Sequence, residues 1–179
     1  TKEGCGDGDC GACTVAMVET DTAGRAHYRA VNSCLFPVGA LLGREVVTVE
    51  ALAEGDRLHP AQQVLVEGAG SQCGYCTPGF VMSLFVGSHD GDLSDHCIEG
   101  NLCRCTGYRP IRDAARRLAA LPVVEDRFHH ALAQPRAPLA SCALGPFHNP
   151  STLAEALALK QQFPEASWIA GATDLGVNL

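Results

Sequence analysis

The chain has 179 residues, of which 46% are apolar and 18% are charged, so packed cores are expected and wholesale disorder is excluded. Its net charge of −7, without a run of Lys or Arg, argues against nucleic acid or an anionic membrane surface as a partner. No apolar stretch approaches the roughly 20 residues of a membrane-spanning helix. The unusual feature is the number of cysteines, which is ten.

The first predicted elements are strands. Residues 13–19 and 27–33 are short β-type runs separated by a polar connection at residues 20–24, and residues 46–49 are a third run rich in β-branched side chains. We therefore expect a loop followed by strands in residues 1–55.

Residues 56–121 are predicted to be mostly helical, with four helices. The predicted helices follow His59-Pro60, Thr77-Pro78 with Thr77 as N-cap, Ser94 and Pro110.

The last third of the chain is predicted to be a linker followed by a segment with regular secondary structure. Residues 122–146 hold four prolines and lack periodicity, which is typical of a linker. Beyond it, Ser151 is predicted to cap a helix, and residues 168–170 are predicted to form a strand that runs into a turn at Gly171.

The cysteines allow three interpretations. They are bunched rather than spread, so a secreted disulfide framework fits poorly. Two structural zinc sites are one metal-binding alternative. Two iron–sulfur clusters are the other, and this is the interpretation that the spacing favours. The ten cysteines are Cys5, Cys10, Cys13, Cys34, Cys73, Cys76, Cys97, Cys103, Cys105 and Cys142.

The first four cysteines have the spacing of a plant-type [2Fe–2S] site. Cys5, Cys10 and Cys13 follow the C-x₄-C-x₂-C pattern, and Cys34 comes after twenty further residues. Glycines between the first three allow the backbone to curl around a cluster and to aim N–H groups at its sulfurs.

A second set consists of a C-x₂-C pair at Cys73 and Cys76 and a C-x-C pair at Cys103 and Cys105. Both pairs lie just before a predicted helix, where N–H groups and the helix dipole favour thiolate ligands. The two cysteines left over, at positions 97 and 142, are expected to be free thiols.

The remaining polar residues indicate no catalytic centre. No acid, base or nucleophile constellation is visible, and the seven histidines have no ligand spacing relative to the cysteine sets. His129 and His130 are expected to be exposed in the linker. Substrate chemistry is therefore expected on another chain or segment.

Four motifs in one order carry a family resemblance. The stretches TKEGCGDGDCGACTV, NSCL, QCGYCTPGFVMS and GNLCRCTGYRPI resemble the iron–sulfur part of the molybdenum hydroxylases, the xanthine dehydrogenase and aldehyde oxidase family. The resemblance covers residues 1 to about 121. Residues 147–179 resemble, over a shorter stretch, the opening of the family's FAD domain.

The resemblance implies an α+β architecture in a fragment of a longer protein. Its parts would be an N-terminally truncated, plant-type ferredoxin-like (β-grasp) domain at 1–55, a four-helix [2Fe–2S] domain at 56–121, a linker at 122–146 and the truncated start of an FAD domain at 147–179.

The resemblance also implies a function. Electrons would pass from a molybdenum cofactor on a partner large subunit through two [2Fe–2S] clusters to FAD and then to NAD, as in the iron–sulfur/FAD subunit of xanthine dehydrogenases. The reaction would be purine hydroxylation, xanthine to urate, in the cytoplasm, without nucleic-acid or membrane partners. An aldehyde or N-heterocycle hydroxylase of the same family is the alternative.

Site residues follow by motif match. Cys5, Cys10, Cys13 and Cys34 would hold the cluster nearer the flavin. Cys73, Cys76, Cys103 and Cys105 would hold the cluster next to the molybdopterin, which Gln72 and Cys105 would face. The FAD pyrophosphate would contact Ile169, Ala170, Gly171, Ala172, Thr173 and Asp174, although Ala172 stands where the family often has Gly or Asn.

Overall fold

A computed structural model describes residues 1–21, 23–123 and 125–178. Thr22 in the predicted strand connection, Val124 in the predicted linker and Leu179 in the predicted FAD segment lie outside the described residues. The elements in chain order are β1 (Thr14–Thr20), β2 (Ala26–Asn32), β3 (Val46–Val47), α1 (Pro60–Glu67), α2 (Thr77–Asp90), α3 (Arg109–Ala119), α4 (Arg127–Leu132), β4 (Cys142–Leu144), β5 (Phe147–Asn149), α5 (Leu153–Gln162) and α6 (Thr173–Val177). Short 3₁₀ helices cover Val38–Leu41, Val49–Ala51 and Asp95–Ile98.

The three predicted strands of the first third form one antiparallel sheet in the order β2-β1-β3. Thr14 at the start of β1 lies opposite Asn32 at the end of β2, so the two flanking loops meet at one edge. Side chains alternate across β1: Ala16 and Val18 face the main core, whereas Val15 and Met17 enter a smaller cluster. β1 is therefore buried on both faces, which explains its apolar sequence.

Helix α2 is the centre of the molecule. Every residue from position 79 to 87 is buried, and the helix packs against β1, β2, α1 and α3. An apolar surface on all sides is expected for a helix enclosed in this way. The main core contains residues from before and after position 55, where the boundary between the first two domains is predicted. The predicted domain boundaries stay predictions.

The helix starts agree with the sequence to within one residue. Ser94 caps the 3₁₀ helix at Asp95–Ile98, as predicted. α2 begins at Thr77 with Cys76 in the cap position, so the prediction of Thr77 as N-cap was wrong by one residue. The cap of α5 is Thr152 rather than the predicted Ser151, because Glu155 closes a capping box with Thr152.

Residues 122–146, predicted to be a linker without periodicity, contain regular secondary structure, and their role as a linker stays a prediction. This segment contains α4, which Asp126 caps, and the whole of β4. Phe128 on α4 is buried in the main core, where its ring lies 4.9 Å from that of Phe85 between centroids. The helix is only six residues long, so its apolar periodicity was too brief to see among the prolines.

The predicted strand at residues 168–170 is not formed. The strands that do form nearby are β4 and β5, which make an antiparallel hairpin. Cys142 pairs with Asn149 at one end of the hairpin, and Leu144 pairs with Phe147 at the other. Trp168 is 57% exposed and has no strand partner in the described part of the chain, which removes the burial that stabilises an apolar strand. Among the described residues, no helix has the length and apolar character needed to cross a membrane.

Candidate metal centres

The strand pairing brings the first four thiols together. Cys5 and Cys10 lie in the loop before β1, Cys13 directly precedes β1, and Cys34 comes two residues after β2. Because the start of β1 and the end of β2 are paired, Cys34 returns to Cys13. The backbone N–H and the hydroxyl of Ser33 both donate to the Cys13 carbonyl oxygen, at 3.4 and 2.8 Å.

The thiols of this set approach each other as two pairs. Burial raises the pKa of Cys34 to about 11, and the adjacent Cys13 thiol adds to this shift. Cys5 and Cys10 form the other pair, since the Cys10 N–H donates to the Cys5 Sγ at 3.3 Å. Burial opposes ionisation of Cys10, but the Ala12 N–H and the Cys5 thiol outweigh it and lower the Cys10 pKa.

The second set is assembled at the starts of two helices. Cys73 and Cys76 precede α2, and Cys103 and Cys105 precede α3. Burial and then the Cys103 thiol raise the pKa of Cys76 to about 11. The Tyr75 N–H and then the Cys105 thiol lower the pKa of Cys73. Cys103 is thus a neighbour of Cys76, and Cys105 is a neighbour of Cys73.

Local donors surround Cys103, the buried thiol of the second set. The Thr106 N–H donates to its Sγ at 3.4 Å, and the Thr106 hydroxyl lies 3.1 Å from the same atom. Burial opposes ionisation of Cys103, but these two groups outweigh it and lower the Cys103 pKa. The Cys103 backbone N–H donates to the Tyr108 hydroxyl at 3.0 Å, which fixes the turn.

The arrangement of the thiols fits a two-iron cluster. In a tetrahedral zinc site all four sulfurs stand about 3.8 Å from one another, because each bond to the single ion is about 2.3 Å long. Among the described residues, no three thiols come within 4.8 Å of one another. Two irons with bridging sulfides hold two thiolate pairs further apart than this, so neighbouring thiols in pairs suit a two-iron cluster. The assignment of these eight cysteines as ligands stays a prediction.

A buried junction joins the two thiol-bearing loops. Asn101, which is 2% exposed, donates from Nδ2 to the Gly11 carbonyl oxygen at 2.9 Å and to Thr14 Oγ1 at 3.1 Å. Its Oδ1 accepts from the Ser83 hydroxyl on α2 at 2.6 Å. One amide thus connects the first loop, α2 and the segment that leads into Cys103.

Two glycines allow this close approach. A Cβ at Gly11, whose φ is +67°, would stand 2.1 Å from the Gly100 carbonyl oxygen, and a Cβ at Gly79 would stand 2.0 Å from the Gly11 carbonyl oxygen. At the same place the Leu102 N–H donates to the Cys10 carbonyl oxygen at 2.9 Å. A covalent and hydrogen-bonded path therefore leads from Cys10 of the first set to Cys103, the neighbour of Leu102.

Gln72, which was predicted to face a pterin, lies beside Cys73 and is exposed. Cys73 and Cys105 are exposed as well, together with Tyr75 at 50% and Leu102 at 55%. This side of the second set is therefore accessible. The role of Gln72 stays a prediction.

Three of the six residues predicted to contact FAD, Ile169, Gly171 and Ala172, line a cavity of about 530 Å³. Phe36 and Phe147 line the same cavity. Gly171 and Ala172 have φ values of +77° and +60°, so the turn takes the left-handed conformation that favours glycine. The predicted contacts of residues 169–174 with FAD stay predictions.

Sequence reasoning missed a second polar cluster. His59, His89 and His129 surround Asp126, although they are widely separated in sequence, and His129 is only 27% exposed in its side chain. Burial alone would raise the pKa of Asp126, but hydrogen bonds from His129 and His59 hold it well below its ordinary range. Only the packing of α1, α2 and α4 brings these side chains together.

Comparison with known protein families identifies a domain. Residues 48–116 match the family described as [2Fe-2S] binding domain. A [2Fe–2S] binding domain is thus present in this part of the chain, which holds all four thiols of the second set.

The chain is also similar to curated enzymes. It is 48% identical over 122 residues to xanthine dehydrogenase from Emericella nidulans, covering 65% of this chain and 9% of that protein. It is 45% identical over 124 residues to aldehyde oxidase 3 from Mus musculus, with the same coverage of both. The chain therefore spans about a tenth of the length of the curated relatives it matches.

The similarity to solved structures includes the fold. Quinoline 2-oxidoreductase from Pseudomonas putida 86 is 32% identical with a TM-score of 0.54, over 64% of this chain and 68% of that one. Aldehyde oxidoreductase from Desulfovibrio gigas is also 32% identical at a TM-score of 0.54, over 66% of this chain and 13% of that one. With two sets of paired thiols in the family's motif order, the chain belongs to the molybdenum hydroxylase family, whose members include the xanthine dehydrogenases and aldehyde oxidases.

Proposed function

We propose that this chain is the electron-transfer part of a xanthine dehydrogenase-type molybdenum hydroxylase, with two [2Fe–2S] clusters. The observation that carries the proposal is the pair of four-thiol sets joined at one junction, where Leu102 donates to the Cys10 carbonyl oxygen. When bound, a [2Fe–2S] cluster accepts and releases one electron at a time. The residues of this chain would supply ligation, spacing and shielding.

The protein groups divide this task. The eight paired thiols would hold the irons, and N–H groups at Cys10 and Thr106, which donate to Cys5 and Cys103, would stabilise negative charge on the sulfurs. Asn101 and Gly11 would hold the two sets of thiols in a fixed position relative to each other. Burial of Cys13 and Cys103 would keep water from one side of each set.

The direction of electron flow is part of the proposal. The exposed side of the second set, with Gln72 and Cys105, would face a molybdopterin on a partner subunit. The first set would pass electrons towards the cavity that Ile169, Gly171 and Ala172 line, because Phe36, two residues after Cys34, lines the same cavity. This supports transfer onward to FAD and then to NAD. Purine hydroxylation in the cytoplasm completes the proposed role.

A second candidate is an aldehyde or N-heterocycle hydroxylase of the same family. The similarity to aldehyde oxidase 3, and to solved structures of quinoline 2-oxidoreductase and aldehyde oxidoreductase, favours it. Assays of the chain together with its molybdenum-containing partner, with xanthine, an aldehyde and a quinoline as substrates, distinguish the two candidates.

The direct test is iron and acid-labile sulfide per chain after anaerobic reconstitution. We expect about four irons and four sulfides, and two distinct EPR signals after reduction. About two of each would contradict the two-cluster proposal. Zinc without sulfide would instead establish a structural metal module with no redox role.

A further inference from the structure

The cluster of histidines around Asp126 lies at the opposite end of α2 from Cys76. His89 stands near the end of α2, whose start follows Cys76, so about 20 Å of helix separates them. His59 caps α1, and Asp126 caps α4. The proposed electron transfer uses none of these residues.

The ring of His89 is oriented like that of a metal ligand. Its Nδ1 lies 2.9 Å from the Phe85 carbonyl oxygen, so Nδ1 carries the proton that this bond needs. Its Nε2 lies 3.4 Å from Asp126 Oδ1. Nε2 of this side chain, which is 1% exposed, therefore points at a carboxylate oxygen, and a proton or a metal ion can lie between the two atoms. A backbone carbonyl on the other nitrogen is the usual support of a metal-binding histidine.

His59 completes a set of three ligand atoms. Its Nε2 lies 3.1 Å from Asp126 Oδ2, and the ligand atoms of His59, His89 and Asp126 all lie within 4.8 Å of one another. Adjacent ligand atoms in a tetrahedral zinc site are about 3.4 Å apart. The ligand atoms therefore already stand near the spacing of such a site, and Asp126, whose side chain is 25% exposed, leaves a path from solvent.

Ligation requires a change of tautomer at His59. Its Nδ1 accepts the Ala61 N–H at 3.1 Å, so in the metal-free chain its Nε2 carries the proton and donates to Asp126. Binding through Nε2 moves this proton to Nδ1 and breaks the bond to Ala61. The start of α1 keeps its other support, the bond from the His59 N–H to Gln62 Oε1 at 2.9 Å.

We propose that His59, His89 and Asp126 bind one divalent transition-metal ion of the zinc class, which ties α4 to α1 and α2. Two imidazoles and one carboxylate suit zinc, cobalt or nickel better than magnesium or calcium, which prefer oxygen ligands. Asp126 keeps its cap at the same time, because Oδ1 accepts the N–H groups of Phe128 and His129 at 2.9 Å each and Oδ2 still has free lone pairs.

The test is a Co²⁺ titration of the full chain with its clusters loaded and oxidised. We expect one Co²⁺ per chain, with the weak visible bands of nitrogen and oxygen ligands and no thiolate charge-transfer band. Asp126→Asn, which keeps the cap, and His89→Gln should each lower the affinity at least tenfold. The matched control is His96→Gln, which removes a histidine that is 75% exposed in its side chain and should leave the affinity unchanged.

Three outcomes would overturn the proposal: no binding at one equivalent, thiolate charge transfer, or equal affinity in the wild type and both ligand variants. Should either variant fail to fold, imidazole ¹⁵N NMR of the wild-type chain gives the answer. Zn²⁺ is expected to shift the Nε2 resonances of two histidines. Unchanged resonances in that experiment would contradict the site.

Discussion

Gly11 stands at the closest contact between the two thiol-bearing loops. It combines a positive φ of +67° with carbonyl and amide atoms where a Cβ would be. Gly24 in the β1–β2 connection has a φ of +81° with no atom within 4 Å of a Cβ. Comparing an alanine substitution at Gly24 with one at Gly11 therefore distinguishes the cost of backbone strain alone from the cost of strain with a steric clash.

We predict that Gly11→Ala destabilises the chain by roughly 3 kcal/mol or more and lowers its iron content, because the loops must move apart. Gly24→Ala should cost only about 1 kcal/mol and leave the iron unchanged. Urea unfolding and iron analysis measure both effects. Equal losses in the two variants would mean that the junction tolerates a methyl group.

Tyr28 is a buried residue whose side-chain pKa is raised. Its hydroxyl donates to the Phe128 carbonyl oxygen at 3.2 Å, and burial, followed by the charges of Glu45 and Asp126, raises its pKa to about 12. The unfolded chain ionises its tyrosines near pH ~10. The folded form therefore holds the proton more tightly, and this contribution to stability is complete below pH ~10 and is lost as the pH rises towards about 12.

We predict that the free energy of unfolding falls by up to roughly 3 kcal/mol between pH ~10 and ~12 through Tyr28 alone. Tyr28→Phe should lose about 1 kcal/mol at pH ~8 with its hydrogen bond, yet fall less steeply in alkali. Urea unfolding at several pH values measures the two slopes. Parallel curves would show that Tyr28 is not the group responsible.

At the scale of elements, α4 is the helix that sequence patterning missed. It is held by the Asp126 cap and by Phe128, whose ring packs on Tyr28 and Phe85. Its contribution comes from burial in the main core rather than from helix propensity, since six residues are too few for a stable isolated helix.

We predict that Phe128→Ala lowers the free energy of unfolding by about 3 kcal/mol, the ordinary cost of removing a buried aromatic ring. The control is Val123→Ala, at a side chain that is 82% exposed, which should change stability by less than about 0.5 kcal/mol. Urea unfolding of both variants measures the difference. A Phe128→Ala chain as stable as the control would show that α4 is not docked in solution.

At the scale of the whole molecule, two separate sets of four thiols meet at one junction. The sets touch through Asn101 and through the bond from Leu102 to Cys10, but no cysteine belongs to both. The proposal of two clusters therefore requires that each can be lost alone.

We predict that Cys103→Ser removes about two of four irons and one of two reduced EPR signals, because only the second set loses a ligand. Cys97→Ser is the matched control, since Cys97 lies outside both sets, and it should keep all the iron. Loss of both signals in Cys103→Ser would show that the sets do not assemble independently.

Much of this architecture could be predicted from local sequence. The β1 and β2 runs, the helix starts at Pro60 and Pro110 and the Ser94 cap rest on spacing and on residues with strong local preferences. The predictions failed where order depends on distant partners. α4 needs a core built by α1 and α2, and residues 168–170 lack a strand to pair with in the described part of the chain.

The cysteine spacing by itself predicted which thiols belong together, because iron–sulfur ligation demands few residue types at characteristic separations. Only the tertiary structure decided how the two sets meet. The contacts of Gly11 with Gly79 and Asn101, and those of Asp126 with His59 and His89, join residues between 37 and 90 positions apart. Such contacts follow from the packing of whole elements, which no local pattern encodes.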